Sequence, residues 1–328
     1  RENRCGVGVM RGINDRERSE DPRAASSTTA EGAHSRAALL TGGSLLVLAA
    51  FVAPDAARAA CSGANQTVSS NPSGAVFSTG GAITVPAGKN VIAAAGPGVD
   101  AYSCSVTTLS NQGNIIGGTG FSAGPGVGSS QTLTTLTNSG TIVGGASQAA
   151  GGAGGYGVLN IILSSDNALI TTLTNNGTII GGQDNGQSGL AGAGVANITA
   201  TITTLSNNGA IVGGQGSEGG IGVYNASSSA IGSLDNSAAA TIGGGAGGSV
   251  GGGGIVNYGT INKLSNSGTI AGGVGAGGTR SNAAIYNIFG GTITTLTNSG
   301  AMTGGSGVAF GGRAARAYRT AASQISDR

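Results

Sequence analysis

Hydrophobic and polar positions alternate with a period of two through most of the chain after residue 60. In the stretch from Leu205 to Gly213, every second position reads Leu, Asn, Gly, Ile, Gly. Side chains of a strand alternate between its two faces, so Leu205, Asn207 and Ile211 are expected on one side. Sustained helical spacing is absent, and glycine is too frequent for a helix. The pattern predicts an all-β protein.

This alternating segment is a repeat. The first copy is Val106–Gly118, and it recurs at 133–145, 170–182, 202–214, 261–273 and 293–305, with a degenerate copy from Ile231. Two positions within the copies are constant. They are Leu109, Leu136, Leu173, Leu205, Leu234, Leu264 and Leu296, and Asn111, Asn138, Asn175, Asn207, Asn236, Asn266 and Asn298.

A second, weaker unit precedes most copies and consists of an aliphatic residue, any residue, and Asn. Examples are Val195-Ala196-Asn197 and Ile255-Val256-Asn257. One unit of about 30 residues cannot bury its own apolar face, but stacked units can. We therefore predict a solenoid in which Leu stacks on Leu and Asn on Asn. Stacked asparagines at a corner can hydrogen-bond along the axis and satisfy turn backbone groups.

Glycine-rich inserts separate the copies and vary in length, for example 146–157, 183–194 and 243–254. Variable loops on a constant coil are expected of solenoids. The alternative is that these inserts are flexible linkers and that the chain is a low-complexity surface protein without a fixed fold. Gly209 and its equivalents are expected to permit a tight bend beside the stacked Asn.

Residues 1–59 are predicted to be an extended N-terminal region that ends in a signal peptide. Arg36 precedes an uncharged apolar run, and Ala57-Arg58-Ala59 satisfies the small-residue cleavage rule, which places the cut between Ala59 and Ala60. A membrane anchor and a lipid on Cys61 are the alternatives. In an exported chain Cys61 and Cys104 are a candidate disulfide, the alternative being two unpaired thiols.

Composition and charge argue against several kinds of activity. Charged residues make up 9% of the chain and its net charge is +2, which gives no reason to expect a nucleic-acid partner. The single His, His34, lies in the signal region, so triad catalysis and zinc binding are not expected of the exported part, and neither is a cofactor.

Paired carboxylates for polysaccharide cleavage are not evident either. Asp100, Asp166, Asp184 and Asp235 occupy unlike phases of the repeat. Calcium-binding nonapeptide repeats would need an acid where only Glu218 supplies one. Thr pairs such as 107–108 and 134–135 are compatible with binding of ice or sugars, although a solvent-facing strand is the simpler interpretation. No catalytic, cofactor or metal residue is predicted.

The signal region followed by repeats of the form Ile-Thr-Thr-Leu-Thr-Asn-Ser-Gly-Thr-Ile-x-Gly-Gly resembles the passenger domain of autotransporters of Gram-negative bacteria, from about Cys61 to Gly312. The resemblance implies a single-stranded right-handed parallel β-helix. It implies a cap at 60–105, β-helix repeats at 106–312, and an irregular tail at 313–328 that does not read as barrel strands, as in a truncated or frame-shifted chain.

The same resemblance implies export to the cell surface or outer membrane, or to the periplasm if no barrel is present. The expected partners are an outer-membrane β-barrel translocator, missing from this sequence, and a surface glycan or cell-surface ligand. The expected function is structural or adhesive rather than enzymatic. A β-helical polysaccharide-degrading enzyme is the alternative.

Overall fold

A computed structural model describes residues 61–72, 74–163, 167–185, 189–275, 283–288, 290–306 and 318–320. These residues belong to the second of two compact units, Val47–Arg328. Their regular structure is entirely strand, as the alternation of apolar positions predicts. Within the described ranges there is no helix long and apolar enough to cross a membrane. The proposed signal peptide, its cleavage site at Ala59 and Ala60, and His34 lie outside the described residues.

Three parallel sheets form the walls of the solenoid. Sheet A has the order β1 (Ala64–Thr67), β3 (Gly80–Val85), β6 (Val106–Asn111), β9 (Thr132–Asn138), β12 (Leu169–Asn175), β15 (Thr201–Asn207), β19 (Ala230–Asn236), β23 (Thr260–Asn266) and β26 (Thr292–Asn298). Sheet C contains β4 (Asn90–Ile92), β7 (Asn114–Ile116), β10 (Thr141–Val143), β13 (Thr178–Ile180), β16 (Ala210–Val212), β20 (Thr241–Gly243), β24 (Thr269–Ala271) and β27 (Ala301–Thr303).

Sheet B completes each coil. It contains β2 (Val76–Phe77), β5 (Val99–Ala101), β8 (Val127–Ser129), β11 (Val158–Ile161), β14 (Val195–Ile198), β18 (Val223–Asn225), β22 (Ile255–Asn257), β25 (Ile285–Asn287) and β28 (Tyr318–Thr320). A separate pair, β17 (Gly216–Glu218) and β21 (Gly247–Val250), links two inserts. The chain runs from sheet A to sheet C to sheet B, so one circuit is one coil.

The register between coils is constant. Leu205 pairs with Leu173 on one side and Leu234 on the other, and Asn207 pairs in the same way with Asn175 and Asn236. The prediction of an all-β parallel solenoid is confirmed, and a chain without a fixed fold is excluded for the described residues. The right-handed sense of the coil stays a prediction.

Each repeat copy is split between two sheets. Its Leu and Asn belong to a sheet A strand, and its Ile belongs to the following sheet C strand, as Leu205, Asn207 and Ile211 illustrate. All three side chains are fully buried. Sheet B contributes a third inward column that includes Val195 and Val223. The core therefore consists of aliphatic columns from all three sheets. The apolar residues of a coil become buried only when neighbouring coils stack on it.

The coil pattern begins before the first repeat copy. Residues of β3 pair with β6 so that Ile83 lies under Leu109 and Val85 under Asn111. Together with β4 and β5 they form a coil within the segment 60–105. Its sequence departs from the repeat, since an aliphatic residue stands where the later coils have Asn.

Glycine pairs at the ends of the repeat copies stack on one another from coil to coil. A Cβ on Gly182 would collide with the carbonyl of Gly145, and one on Gly214 would collide with that of Gly182. Backbone hydrogen bonds join these pairs to the glycines that lead back towards sheet B. Gly192 N–H donates to Gly182 O at 2.8 Å, and Gly214 N–H donates to Gly192 O at 2.8 Å. The bases of the inserts are thus backbone-to-backbone layers that only glycine can form.

Candidate functional site

The most highly organised polar feature of the structure is a column of buried amides along the corner between sheets A and C. We call it the first asparagine ladder; its members are Asn111, Asn138, Asn175, Asn207, Asn236, Asn266 and Asn298. The Nδ2 of each of the first six members donates to the Oδ1 of the next coil's Asn, at 2.7 to 2.8 Å. All but the last member are essentially inaccessible to water.

The second amide hydrogen of each rung is used on the backbone. Asn207 Nδ2 donates to the carbonyl of Thr241 at 3.0 Å, across the turn of the following coil. Asn175 does the same to Ala210 at 2.9 Å. A buried polar group costs free energy unless it is paired, and these amides pair with groups that a tight corner would leave without partners. The ladder therefore ties each corner to the next coil.

A second asparagine ladder, which the sequence analysis did not identify, runs along the end of sheet B. Its members are Asn160, Asn197, Asn225, Asn257 and Asn287, with Nδ2-to-Oδ1 distances of 2.7 to 2.9 Å. Their amides also reach the next coil's backbone, as from Asn197 to Ala230 O at 3.0 Å. The aliphatic-x-Asn unit was the signal for it, because that unit gives Asn the same inward position.

The second ladder has an incomplete beginning. Asn160 Oδ1 is buried and accepts no hydrogen bond. The coil before it carries Ser129 at the paired position, and the Ser129 hydroxyl donates to Gln131 O at 3.1 Å. One rung is therefore missing between Ser129 and Asn160.

Cys61 and Cys104 are joined by a disulfide, with their Cα atoms 5.7 Å apart and 43 residues apart in sequence. Cys104 is buried and Cys61 is exposed. The bond connects Cys61, which lies three residues before β1, to the segment between β5 and β6. It thus secures the first strand of sheet A to the coil beneath it.

The outer face of sheet A consists of hydroxyl-bearing columns. One of them runs through Thr108, Thr135, Thr172, Thr204, Ser233, Lys263 and Thr295. These side chains are half-buried or exposed. Lys263 Nζ lies 3.7 Å from Asp235 Oδ1, and both side chains are largely exposed, so the pair contributes little to stability. This face is polar and nearly uncharged.

Five tyrosines lie in or beside the strands of sheet B, namely Tyr102, Tyr156, Tyr224, Tyr258 and Tyr286. The rings of Tyr224 and Tyr258 meet edge to face with centroids 5.9 Å apart. Burial, followed by the nearby Tyr258 hydroxyl, raises the pKa of Tyr224 to about 12. Burial likewise raises the pKa of Tyr102 and Tyr156. The tyrosines are thus packed side chains that cover sheet B, and the sequence analysis did not group them.

Asp100, Asp184 and Asp235 lie on separate parts of the coil. Asp100 is on sheet B, Asp235 is on the outer face of sheet A, and Asp184 is in the insert after β13, where both carboxylate oxygens accept from Ser217 N–H at 2.8 and 3.0 Å. Burial raises the pKa of Asp100, and the Tyr102 N–H opposes that shift. Asp166 lies outside the described residues, and within them no group of three or more His, Cys, Asp or Glu side chains could hold a metal ion.

Comparison with known proteins leaves the fold as the basis for any functional argument. No protein-family model, no curated protein sequence and no solved structure matches this chain. A parallel β-solenoid is compatible with an autotransporter passenger and with other β-helix proteins. What the structure establishes is the architecture, a stack of parallel coils held by aliphatic columns and two asparagine ladders.

Proposed function

We propose that this chain is an exported, surface-displayed structural protein of the autotransporter passenger type, which contacts glycans or cell surfaces and carries out no catalysis. The observation that carries the proposal is the use made of its buried polar groups. The buried asparagines are bonded to each other and to turn carbonyls, as Asn207 is to Asn236 and to Thr241. Asparagine amides engaged in these hydrogen bonds hold the coils together and are not directed at a substrate.

The disulfide supports export. Disulfides form and persist in oxidising compartments such as the periplasm and the cell exterior, and are rare in the cytosol. The bond between Cys61 and Cys104 begins two residues after the predicted cleavage position at Ala59. The predicted signal peptide and the disulfide favour the same compartment by independent physical arguments.

The outer face of sheet A supports contact with neutral polar ligands. Its hydroxyl columns repeat at the strand spacing of about 4.8 Å, which presents a regular array of donors and acceptors without a strong field. Asp100, Asp184 and Asp235 lie on sheet B, in an insert and on sheet A respectively, which does not favour carbohydrate cleavage by these three, because that reaction needs two carboxyl groups about 5 to 10 Å apart across one bond. We therefore favour adhesion over the enzymatic alternative.

Export is tested by expressing the full chain in a Gram-negative host and determining the N-terminal sequence of the protein in the periplasmic and outer fractions. The expected result is a product that begins at Ala60 and whose Cys61 and Cys104 are oxidised. A product retained in the cytosol with both thiols reduced would contradict the proposal. An Ala57→Glu, Ala59→Glu variant is the matched control and should remain uncleaved.

Adhesion is tested by displaying residues 60–328 on cells through a fused translocator barrel and measuring binding to a panel of neutral and acidic glycans. Cells that display the barrel alone are the control. We expect binding that a Thr172→Lys, Thr174→Lys variant loses, because both residues lie on the outer face of β12. Release of reducing sugar by the displayed protein, or binding equal to the barrel alone, would overturn the proposal.

A further inference from the structure

The last described coil leaves two strands without a partner on one side. β26 and β27 are the terminal strands of sheets A and C, whereas β28 continues sheet B. Leu296 is only half-buried and Asn298 is exposed, although their equivalents Leu264 and Asn266 are buried. The end of the corner between sheets A and C therefore presents a surface that every earlier coil buries under its successor.

The first asparagine ladder is open at this end, and its direction is defined. Every earlier member donates Nδ2 towards the C-terminal coil, the last such bond running from Asn266 to Asn298 Oδ1 at 2.7 Å. Asn298 Nδ2 contacts only its own turn, at Gly300 O and 3.2 Å. The donor of Asn298 thus points towards the place of another rung.

The opposite end of sheet A is built differently. Gln66 pairs with Ile83, so a polar residue takes the place of Leu in the first strand. Val85 pairs with Asn111, and Val68 follows in the same inward column, so the ladder position itself carries no amide acceptor. The unpaired Oε1 of Gln66 lies at the Leu position instead. If one folded copy stacked its N-terminal end on the C-terminal end of another, Leu296 would face Gln66 and Asn298 would face Val68. A folded second copy is therefore a poor match.

We propose that the edge formed by β26 and β27 is a binding site for an extended polypeptide segment that carries the repeat pattern, aliphatic-x-x-Leu-x-Asn followed by a turn and Ile. The segment adds as a parallel strand, a known mode of peptide recognition. Its Leu covers Leu296, and its Asn Oδ1 accepts from Asn298 Nδ2. The interface is the one already made between consecutive coils, such as β23 with β26.

The test uses the full chain and a fluorescent peptide with the sequence of residues 201–212, which has no charged side chain and spans β15 and β16. Fluorescence anisotropy is expected to show saturable binding with one peptide per chain. A peptide with Asn207→Leu should bind at least tenfold more weakly, because the acceptor for Asn298 is lost. Equal binding by both peptides would overturn the proposal.

Matched protein variants locate the site. Leu296→Lys should reduce the affinity at least tenfold, whereas Thr297→Lys, whose side chain is exposed on the outer face of the same strand, should change it less than twofold. Circular dichroism of both variants verifies that they fold. Equal affinities for the two folded variants would place the peptide elsewhere and overturn the proposal.

Orientation and oligomeric state give two further readouts. With a nitroxide on the peptide N terminus, the amide signal of Thr292 should broaden more than that of Asn298, and the reverse would contradict parallel pairing. Sedimentation velocity without peptide should show one species. End-to-end association that Leu296→Lys abolishes, together with no peptide binding, would identify a second copy as the occupant and refute the proposal.

Discussion

A buried asparagine is the residue that distinguishes these coils from a purely apolar stack. Its amide has two donors and one acceptor oxygen, and in the first ladder these reach both neighbouring coils and a turn carbonyl. Aliphatic columns permit a coil to slide or rotate, but a ladder is satisfied in only one register. At the scale of single residues, the asparagines specify the stacking that the leucines drive.

Replacing one interior rung tests this role. Asn207→Ala leaves Asn175 Nδ2, Asn236 Oδ1 and Thr241 O with lost hydrogen bonds in a dry corner. We expect a loss of about 3 kcal/mol in the free energy of unfolding, measured by urea denaturation. Asn208→Ala, which removes an exposed bond to Asn176, is the control and should cost under about 1 kcal/mol. Similar losses for the two variants would contradict a structural role for the ladder.

In the first ladder a glycine stands two residues after every Asn except Asn236, and it is required by space and not by its backbone angles. Gly209 was expected to permit a tight bend, but it does not belong to the left-handed region. A Cβ there would overlap the carbonyl oxygen of Gly177 in the coil below, and Gly177 stands in the same relation to Gly140. The close approach of adjacent backbones is the physical reason why this position of the repeat is glycine at Gly140, Gly177 and Gly209.

Gly177→Ala should therefore destabilise the solenoid, and any gain from the higher intrinsic propensity of alanine should be smaller than this loss. The melting temperature, measured by circular dichroism, should fall. The expected cost is about 2 kcal/mol or more, in the range of other overpacking substitutions. Gly74→Ala is the control, because a Cβ at Gly74 meets nothing within 4 Å. It should be neutral or slightly stabilising. A tolerated Gly177→Ala would show that adjacent coils can separate without cost.

At the scale of a sheet, the second ladder lacks its first rung. Ser129→Asn would place an amide donor beside the unsatisfied Asn160 Oδ1 in the paired strand. We expect a gain of about 1 kcal/mol in the free energy of unfolding, the net worth of one intramolecular hydrogen bond. The gain should vanish when Asn160→Ala is combined with it. An equal gain in both backgrounds would mean that the new side chain acts by some other contact.

The tyrosines of sheet B give the fold an alkaline limit. The pKa of Tyr224 is raised to about 12 from an ordinary value near 10. The folded state favours the neutral form of Tyr224. Its contribution to the free energy of unfolding is therefore complete below pH 10 and is lost as the pH rises through about 12. The urea midpoint should therefore fall over that interval, and absorbance at 295 nm should show delayed tyrosine ionisation. Tyr224→Phe should make the fall shallower, and an unchanged slope would contradict the assignment.

At the scale of the whole molecule, stability is a sum over coils and their interfaces, so the ends are where the stack opens first. The disulfide secures the first strand of the described solenoid. Replacing Cys61 and Cys104 with Ala should cost about 4 kcal/mol in the chain-entropy model for a loop of 43 residues. Hydrogen exchange should accelerate in β1 and β3 and stay unchanged in β15 and β19. Uniform acceleration along the chain would contradict unfolding from this end.

The sequence by itself determined the strands, their inward and outward faces and the stacking of like residues, because alternation is a local property of the chain and seven copies repeat it. It therefore predicted the solenoid, for which the resemblance to autotransporter passengers implied parallel strands, and placed Leu205 and Asn207 on one face in stacked columns. The bend between Asn207 and Ile211, which divides each copy between sheets A and C, depends on how neighbouring coils pack at the corner.

Only the tertiary structure decided the features that arise between distant residues. Asn160 and Asn197 become a ladder, and Tyr224 meets Tyr258, because successive coils bring residues about 30 positions apart to one strand spacing. Gly209 faces Gly177 O for the same reason. The unused donor of Asn298 points away from the preceding coil because every ladder amide donates towards the C-terminal coil. This polarity exists only between coils and cannot be seen in a single repeat. The alternation of apolar and polar positions could be recognised in the sequence, whereas the contacts along the solenoid axis exist only once the coils are stacked.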